Sequence, residues 1–198
     1  MDKQMNNPID AAQLPDEAVQ LPDEALVSLA REQLPYRTMA YEQLMRRHRP
    51  KLYFLCLRIT RHVDDAEDVV QEVMLKVFHG LKGFSEQSKF STWLYSIASN
   101  ACLDHLRKQA ARNRHTGYMD EDNEPYYLAY SDDKILAEKA LASLSDRDRT
   151  MMALYYTVGL TLEEIAALMG MKLSAVKMSH YRAIEKLRKR FGNKACSA

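Results

Sequence analysis

The sequence predicts an all-α protein with two small helical domains joined by a flexible linker. Apolar residues recur every three or four positions from Met39 to Leu81, which is the period of an amphipathic helix. Residues 113–133 interrupt this pattern, because they are rich in Asp, Glu, Asn and Tyr and have no apolar period. The 198 residues, 46% of them hydrophobic, suffice for one sizeable core or two small ones.

Net charge divides the chain in the same way. Residues 1–25 and 113–133 are acidic, whereas residues 26–112 and 134–198 are basic. Two basic lobes separated by an acidic connector suit a polyanionic partner, although chance clustering of charges gives the same pattern. The predicted organisation is an acidic leader (1–25), a first lobe (26–112), an acidic linker (113–133), a second lobe (134–191) and a tail (192–198).

A tandem heptad, QLPDEAV followed by QLPDEAL, occupies residues 13–26. Each copy contains a proline, and prolines seven residues apart exclude one continuous helix. The segment therefore predicts a flexible leader, in which Asp23 is positioned to cap the first helix of the first lobe.

Helix starts are marked by short capping patterns. Asp64 is followed by Glu67, and Thr161 is followed by Glu164, and both pairs have the spacing of a capping box. Ser145 is positioned to cap a further helix that we expect to run through Tyr156.

The composition favours a cytosolic protein without a membrane span, metal or cofactor. No apolar run approaches the 18 residues that cross a bilayer, and the polar N-terminus lacks a signal-peptide pattern. Cys56, Cys102 and Cys196 are too widely spaced for a CxxC pair or a disulfide framework. We expect reduced thiols, two of them buried in helices.

The most specific motif is LEEIAALMGMKLSAVKMSHY, residues 162–181. On the helix-turn-helix template it puts Ala166 where two helices cross closely, Gly170 at a turn that needs a positive φ, and Val176 in the apolar wedge. These constraints coincide in one register, which favours a DNA-binding unit over a hairpin that only packs. The side chains expected on DNA are Ser174, Lys177, Met178, Ser179, Arg182 and Lys186.

Two stretches of the first lobe carry a resemblance to a known family. DDAEDVVQEVMLKVF (64–78) and KFSTWLYSIASNACLDHLRK (89–108) resemble the core region of bacterial RNA polymerase sigma factors. They are most similar to the small extracytoplasmic-function group of the sigma-70 family, which keeps only the second and fourth sigma domains. The stretch TLEEIAALMGMKLSAVKMSHYRAIEKLRKRF is similar to the domain of that group that recognises the −35 element.

The resemblance implies that the protein binds core RNA polymerase and directs promoter-specific initiation. Docking on the clamp helices of the largest subunit would use Asp65, Asp68, Gln71 and Glu72. A flipped base of the single-stranded −10 element would lie against the loop Ser85, Glu86, Gln87, Ser88 and Lys89, with Asn100, Arg107 and Lys108 approaching the strand. The second lobe would recognise the −35 duplex beside the polymerase flap, the linker would run near the RNA exit path, and an anti-sigma factor would hold the protein in check.

Some of the residues assigned to polymerase or DNA contact also have a purely structural interpretation. Acids such as Asp65 and Asp68 also suit a helix N-terminus, and the aromatic side chains of Phe84, Phe90 and Trp93 also suit a core, which is the interpretation we favour for Trp93.

The recognition helix departs from the family pattern in two ways. It lacks an arginine near Met178 and Ser179, and His180 stands where an apolar residue is common. Recognition of guanine would then depend on Lys177 or Arg182, or on DNA shape.

Two other classes of protein compete with a sigma factor. A helix-turn-helix transcriptional regulator would bind duplex DNA without recruiting polymerase. An enzyme is disfavoured, because the six histidines are scattered and no Gly-rich loop precedes a helix to bind phosphate.

Overall fold

The computed structural model describes residues 21–116 and 141–191, and these ranges contain seven α-helices and no strand. The helices are α1 (Asp23–Gln33), α2 (Met39–Thr60), α3 (Val63–Gly80), α4 (Phe90–Thr116), α5 (Asp146–Ala153), α6 (Leu162–Leu168) and α7 (Leu173–Phe191). The all-α prediction is confirmed. The first copy of the heptad, most of the linker, and the tail with Cys196 lie outside the described residues.

The first lobe is organised around α2, against which α1, α3 and α4 all pack. Leu44, Leu55 and Ile59 of α2, Val73 of α3 and Leu94 of α4 are completely buried in its core. These residues belong to the three-and-four apolar spacing, so each helix turns one apolar face toward its neighbours.

Polar contacts add to this packing at the start of α1. Asp23 lies in the first turn and accepts a hydrogen bond from Nη1 of Arg47 at 3.0 Å, while its second oxygen lies 2.7 Å from Nε2 of His48. Pro22, which has no side-chain donor or acceptor, occupies the N-cap position. The prediction that Asp23 is a cap is therefore wrong, because the helix begins at Asp23, within the range predicted for the leader.

The predicted capping box at Thr161 is confirmed. Thr161 Oγ1 accepts from the backbone N–H of Glu164 at 3.1 Å, and Glu164 Oε2 accepts from the N–H of Thr161 at 2.9 Å. The box predicted at Asp64 is wrong, because α3 already begins at Val63 after His62, which makes no side-chain cap.

The predicted cap at Ser145 is confirmed, but the extent of the helix is not. Ser145 Oγ accepts from the N–H of Asp148 at 3.2 Å. Helix α5 ends at Ala153 and continues as a π-helical turn over Leu154–Val158, which Gly159 closes with a φ of 85°. α4, in turn, extends to Thr116, so its last turn includes the first residues of the predicted linker, 113–116.

The helix-turn-helix is formed by α6 and α7. Gly170 adopts a φ of 62° at the turn, as the motif requires. Ile165, Ala166 and Val176 are buried in the wedge between the helices. The second lobe also touches the first: α5 and the π-helical turn pack against α2, and α4 contacts α5 and α6.

Candidate functional surfaces

The outer face of α3 is acidic and open to solvent. Asp68, Gln71 and Glu72 are exposed on the side opposite the buried Val70, Val73 and Val77. Glu72 forms an ion pair with Lys76 at 2.6 Å, one turn further along the helix. The face is therefore available to a partner with basic side chains.

Asp65 differs from the other three acidic-face candidates. Its carboxylate lies 3.1 Å from Nε2 of His105 and accepts from Nε2 of Gln109 at 3.4 Å, both on α4. These contacts leave its side chain 21% exposed, so Asp65 holds α3 against α4. The expectation of an exposed Asp65 is corrected on this point.

Leu75 was missed in the sequence analysis, although it lies near the middle of the acidic face. Its side chain is 61% exposed, beside Asp68 and Glu72 by helical spacing. The signal was available in the sequence, because Leu75 falls outside the register of the apolar stripe formed by Val70, Val73 and Val77.

The loop from Ser85 to Lys89 projects from the first lobe, and all five of its residues are exposed. Glu86 has a φ of 58° and forms an ion pair with Arg31 of α1 at 2.5 Å. The loop is thus tethered at one acidic side chain while its remaining polar groups face solvent.

Three aromatic rings lie beneath this loop. Phe84 and Phe90 are buried, and Trp93 packs on both with ring centroids 4.9 Å and 5.9 Å away. The indole also lies beside the end of α3, where a Cβ at Gly80 would be 3.4 Å from it, in ordinary van der Waals contact. The rings form a rigid floor for the loop, in agreement with the core interpretation favoured for Trp93.

Asn100, Arg107 and Lys108 are exposed on α4. Asn100 and Arg107 continue the line of Trp93 along one side of the helix, because they follow it at intervals of seven residues. Arg107 donates to Asp104 at 2.8 Å in an exposed pair. Exposed pairs contribute little to stability, so a nucleic acid phosphate can take the place of the Asp104 carboxylate.

The outer face of α7 holds most of the side chains predicted to meet duplex DNA. Ser174, Lys177, Met178 and Arg182 are exposed, Ser179 is half-buried, and Lys177 lies 3.9 Å from Glu163 in an exposed pair. Lys186 is exposed as well, but its Nζ donates to the backbone oxygen of Ser143 at 2.8 Å, so in this conformation it fastens the start of the second lobe.

The cysteines of the described ranges are structural. Cys56 and Cys102 are free and completely buried. Hydrogen bonding with Cys56, followed by burial, raises the pKa of the Cys102 thiol well above its ordinary value, which disfavours the thiolate. Within 21–116 and 141–191, no group of His, Cys, Asp and Glu could hold a metal ion, and no helix is long and apolar enough to cross a membrane.

Comparison with protein families matches both lobes. Residues 44–112 match the Sigma-70 region 2 model, and residues 140–189 match the Sigma-70, region 4 model. The ECF RNA polymerase sigma factor SigW of Bacillus subtilis is 30% identical, over 76% of this chain and 88% of its own. SigM of Mycobacterium tuberculosis, another ECF sigma factor, is 31% identical over 77% of this chain and 78% of its own.

The chain belongs to the sigma-70 family, as an ECF sigma factor.

Solved structures agree with this assignment. CnrH in complex with the cytosolic domain of CnrY superposes with a TM-score of 0.63 at 25% identity, covering 85% of this chain and 96% of that one. The sigma factor RpoE in complex with the anti-sigma factor NepR from Bartonella quintana gives a TM-score of 0.67 at 25% identity, covering 75% and 94%. The match to region 2 across the first lobe favours a sigma factor over a helix-turn-helix regulator.

The unusual histidine of this sigma factor has a packing explanation. His180 is half-buried, with its ring 4.9 Å from that of Tyr155 and stacked on Tyr156 at 6.0 Å. Burial lowers the pKa of His180, which favours the neutral ring. His180 therefore packs against two tyrosine rings, and its Nε2 also lies 3.4 Å from the hydroxyl of Tyr156.

Proposed function

We propose that this sigma factor binds core RNA polymerase with its first lobe and directs initiation at promoters that it recognises with both lobes. The observation that carries the proposal is the presence, in one chain, of an exposed acidic face on α3 and an exposed recognition helix α7. The regions occur in the order of the family, region 2 before region 4. The protein acts in the compartment of the polymerase, the cytoplasm.

Polymerase contact would use the acidic face of α3, with the clamp helices of the largest subunit as the partner. Asp68, Gln71 and Glu72 supply acceptors, and Leu75 supplies an apolar contact at the centre. Interfaces gain much of their affinity from apolar groups that are excluded from water at the centre of a polar rim. Asp65 contributes by fixing α3 on α4.

Promoter opening would use the loop from Ser85 to Lys89. A base that leaves the stack needs a pocket and neighbouring cations, and it costs a few kcal/mol of unstacking. The aromatic floor of Phe84, Phe90 and Trp93 holds the loop in place, and contacts of about 1 to 3 kcal/mol per base could offset the unstacking. Asn100, Arg107 and Lys108 would then follow the strand along α4.

Recognition of the −35 duplex would use the N-terminal turns of α7 in the major groove, next to the polymerase flap. Lys177 and Arg182 are the exposed cations of these turns and can donate to guanine acceptors or phosphates. Ser174, Met178 and Ser179 complete the surface, and Lys186 would reach a phosphate once it releases Ser143.

An anti-sigma factor is the proposed regulator. The similar structure of RpoE was solved in complex with the anti-sigma factor NepR, and that of CnrH in complex with the cytosolic domain of CnrY. The same fold in this chain supports a partner of that class, and no cofactor is required by any step proposed for the two lobes.

Core-polymerase binding followed by run-off transcription from a promoter library tests the function directly. We expect stable binding and new promoter-specific transcripts that share −10 and −35 sequences. Binding to duplex DNA alone, with no affinity for an active core preparation, would favour the helix-turn-helix regulator instead.

The polymerase surface can be tested with Asp68→Ala combined with Glu72→Ala. Loss of two carboxylates from the acidic face should weaken polymerase affinity about tenfold, which corresponds to roughly 1.4 kcal/mol. Glu32→Ala, which removes an exposed acid from α1, is the matched control. Equal affinity of the double variant and the control, with unchanged helical circular dichroism, would remove both residues from the interface.

A further inference from the structure

Three buried side-chain nitrogens without hydrogen-bond partners lie where α5 meets the end of α2. Arg149 of α5 is 5% exposed; its Nη2 donates to Asp146, while its Nε has no partner. Arg61, which follows the last residue of α2, also has a buried Nε without a partner. The third nitrogen is Nδ1 of His62, which can donate a hydrogen bond in one tautomer of the ring.

Unpaired buried groups of this kind are concentrated at the junction of α2 with α5. Among residues 21–116 and 141–191, the remaining buried side-chain oxygen or nitrogen without a partner is Oγ1 of Thr157. Thr157 belongs to the π-helical turn after α5, which also contacts α2. Folded proteins pair nearly all of their buried polar groups, so a concentration of unpaired donors indicates a site for a ligand that accepts hydrogen bonds.

Positive charge gathers at the same junction. Burial lowers the pKa of the Arg149 guanidinium, Asp146 opposes this effect, and the positive charge of Arg61 lowers the pKa further. The two guanidinium groups are therefore close enough to repel each other. A bound anion would replace this repulsion with an attraction to each arginine, so the electrostatics favour an anion over a water molecule or a cation.

The start of α3 adds backbone donors beside these side chains. The first N–H groups of a helix have no acceptor within the helix, and the positive end of the helix dipole lies there. His62 occupies the N-cap position of α3 without making a side-chain cap. Of the two aspartates in the first turn, Asp64 is exposed and Asp65 pairs with His105 of α4. The N-terminus of α3 therefore favours an oxyanion next to Arg61 and His62.

A phosphate group matches this set of donors. Its oxygens form a tetrahedron and each accepts hydrogen bonds, so one phosphate can accept from donors on two elements at once. Its double negative charge balances two guanidinium groups, which are the side chains best suited to phosphate. Arg61 and His62 are half-buried, so the ligand can reach them from solvent.

We propose that the junction of α2, α3 and α5 binds a phosphate group, which Arg61, His62 and Arg149 hold together with the N-terminus of α3. The phosphate is either the free ion or the phosphate of a small nucleotide, since both present the same oxygens. The site goes beyond the proposed function, because none of these residues belongs to the surfaces assigned to polymerase or promoter DNA.

Isothermal titration calorimetry of the full chain with inorganic phosphate, at an ionic strength held constant with sodium chloride, tests the site. We expect saturable binding of phosphate. Arg61→Gln and Arg149→Gln each remove one charged donor and should weaken the binding about tenfold. Arg46→Gln, at an exposed position of α2, is the matched control for the change in net charge and should alter the affinity less than about twofold.

The fold of the variants must be separated from their binding. Circular dichroism reports the helix content of each variant. Arg61 is half-buried at the end of α2, so Arg61→Gln decides the test even where Arg149→Gln lowers the helix content. Wild-type affinity in Arg61→Gln, or no saturable binding of phosphate to the wild-type chain, would overturn the site.

The recognition surface of α7 is the competing location for phosphate. Lys177→Ala with Arg182→Ala removes two exposed cations of that surface and should leave the phosphate affinity of the junction within about twofold of wild type. Binding that is lost in this double variant but kept in Arg61→Gln would overturn the junction site in favour of α7.

Adenosine monophosphate distinguishes the two sources of the phosphate group. Affinities for the nucleotide and for inorganic phosphate within about threefold of each other would mean that the site holds the phosphate alone. Binding of the nucleotide at least about tenfold tighter would assign the site to a nucleotide. In both cases Arg61→Gln must weaken the binding, and equal affinities of this variant and Arg46→Gln would overturn the proposal. Affinity for polymerase and promoter DNA is measured separately, so failure of the phosphate site leaves the proposed function intact.

Discussion

The two lobes of this sigma factor differ in the lengths of their helices and in the contacts that hold them together. The first lobe packs three helices, α1, α3 and α4, against α2 and adds polar contacts between distant residues, such as Asp23 with His48 and Asp65 with His105. The second lobe combines two short helices, α5 and α6, with the 19-residue α7, and its α5 packs on the first lobe. The two lobes therefore differ in that α5 connects the second lobe to α2 of the first, while one face of α7 remains exposed.

The core of the first lobe gives the largest expected effect. Leu94→Ala removes a completely buried side chain from α4 and should lower the free energy of unfolding by about 3 kcal/mol. Urea denaturation followed by circular dichroism measures the change. Leu75→Ala, at a 61% exposed position of α3, should stay within about 0.5 kcal/mol of wild type. A loss of stability for Leu94→Ala as small as that for Leu75→Ala would mean that the packing of α4 does not stabilise the lobe.

Variants of α7 should separate the two proposed functions, DNA recognition and polymerase binding. Lys177→Ala with Arg182→Ala should weaken recognition of the −35 duplex about 100-fold, because each contact of this kind contributes roughly 1 to 3 kcal/mol. Affinity for core polymerase should not change, since both residues lie on α7 of the second lobe. Binding assays with each partner measure the two effects. A loss of polymerase affinity would contradict the assignment of polymerase binding to the first lobe.

Alkaline pH should act on the first lobe. Burial raises the pKa of both Tyr41 and Tyr95 to about 12 from 10.0, with Asp23 adding to the shift at Tyr95. Between pH 10 and 12, the folded state keeps phenolic protons that the unfolded state releases. The contribution of the two buried phenols to the free energy of unfolding is therefore present below pH 10 and is lost as the pH rises to 12. Stability should fall by about 2 kcal/mol per tyrosine over this window.

Tyr41→Phe is the variant that checks this prediction. It removes one titrating phenol together with the 2.7 Å hydrogen bond from Tyr41 to the backbone oxygen of Met74. The variant should be less stable at neutral pH but should lose less stability between pH 10 and 12. A wild-type dependence on pH would show that Tyr41 does not contribute to it.

The smallest expected effect belongs to the capping box of the second lobe. Thr161→Ala removes the acceptor for the N–H of Glu164 and should cost about 1 kcal/mol. Thr161→Ser keeps the hydroxyl and is the matched control. Thermal unfolding monitored by circular dichroism distinguishes the two, and equal stability of both variants would leave the cap without a role.

Local signals explain which parts of the structure the sequence predicted. The helix-turn-helix was predicted because Ala166, Gly170 and Val176 act within a few residues of one another, and each is found as expected. The cap at Ser145 follows the same logic. At Asp64 the spacing of a capping box was present, but the helix began one residue earlier, so the pattern fell inside its first turn.

Contacts between distant residues explain most of what the sequence analysis missed. The burial of Asp65 depends on His105 and Gln109, about 40 residues away, and the position of Lys186 depends on Ser143 at a similar separation. The spacing of apolar residues along the sequence does not indicate such distant partners. The contact of α5 with α2 was missed for the same reason, since only the folded chain brings Arg61 and Arg149 together.

The ion pairs of Asp23 have a genetic consequence. Asp23 belongs to the second copy of the heptad, and Asp16 occupies the same place in the first. Deletion of either seven-residue copy would leave QLPDEA ahead of the same helix, with an aspartate again in the position that meets Arg47 and His48. The duplication therefore allows the chain to lose one copy and keep these ion pairs.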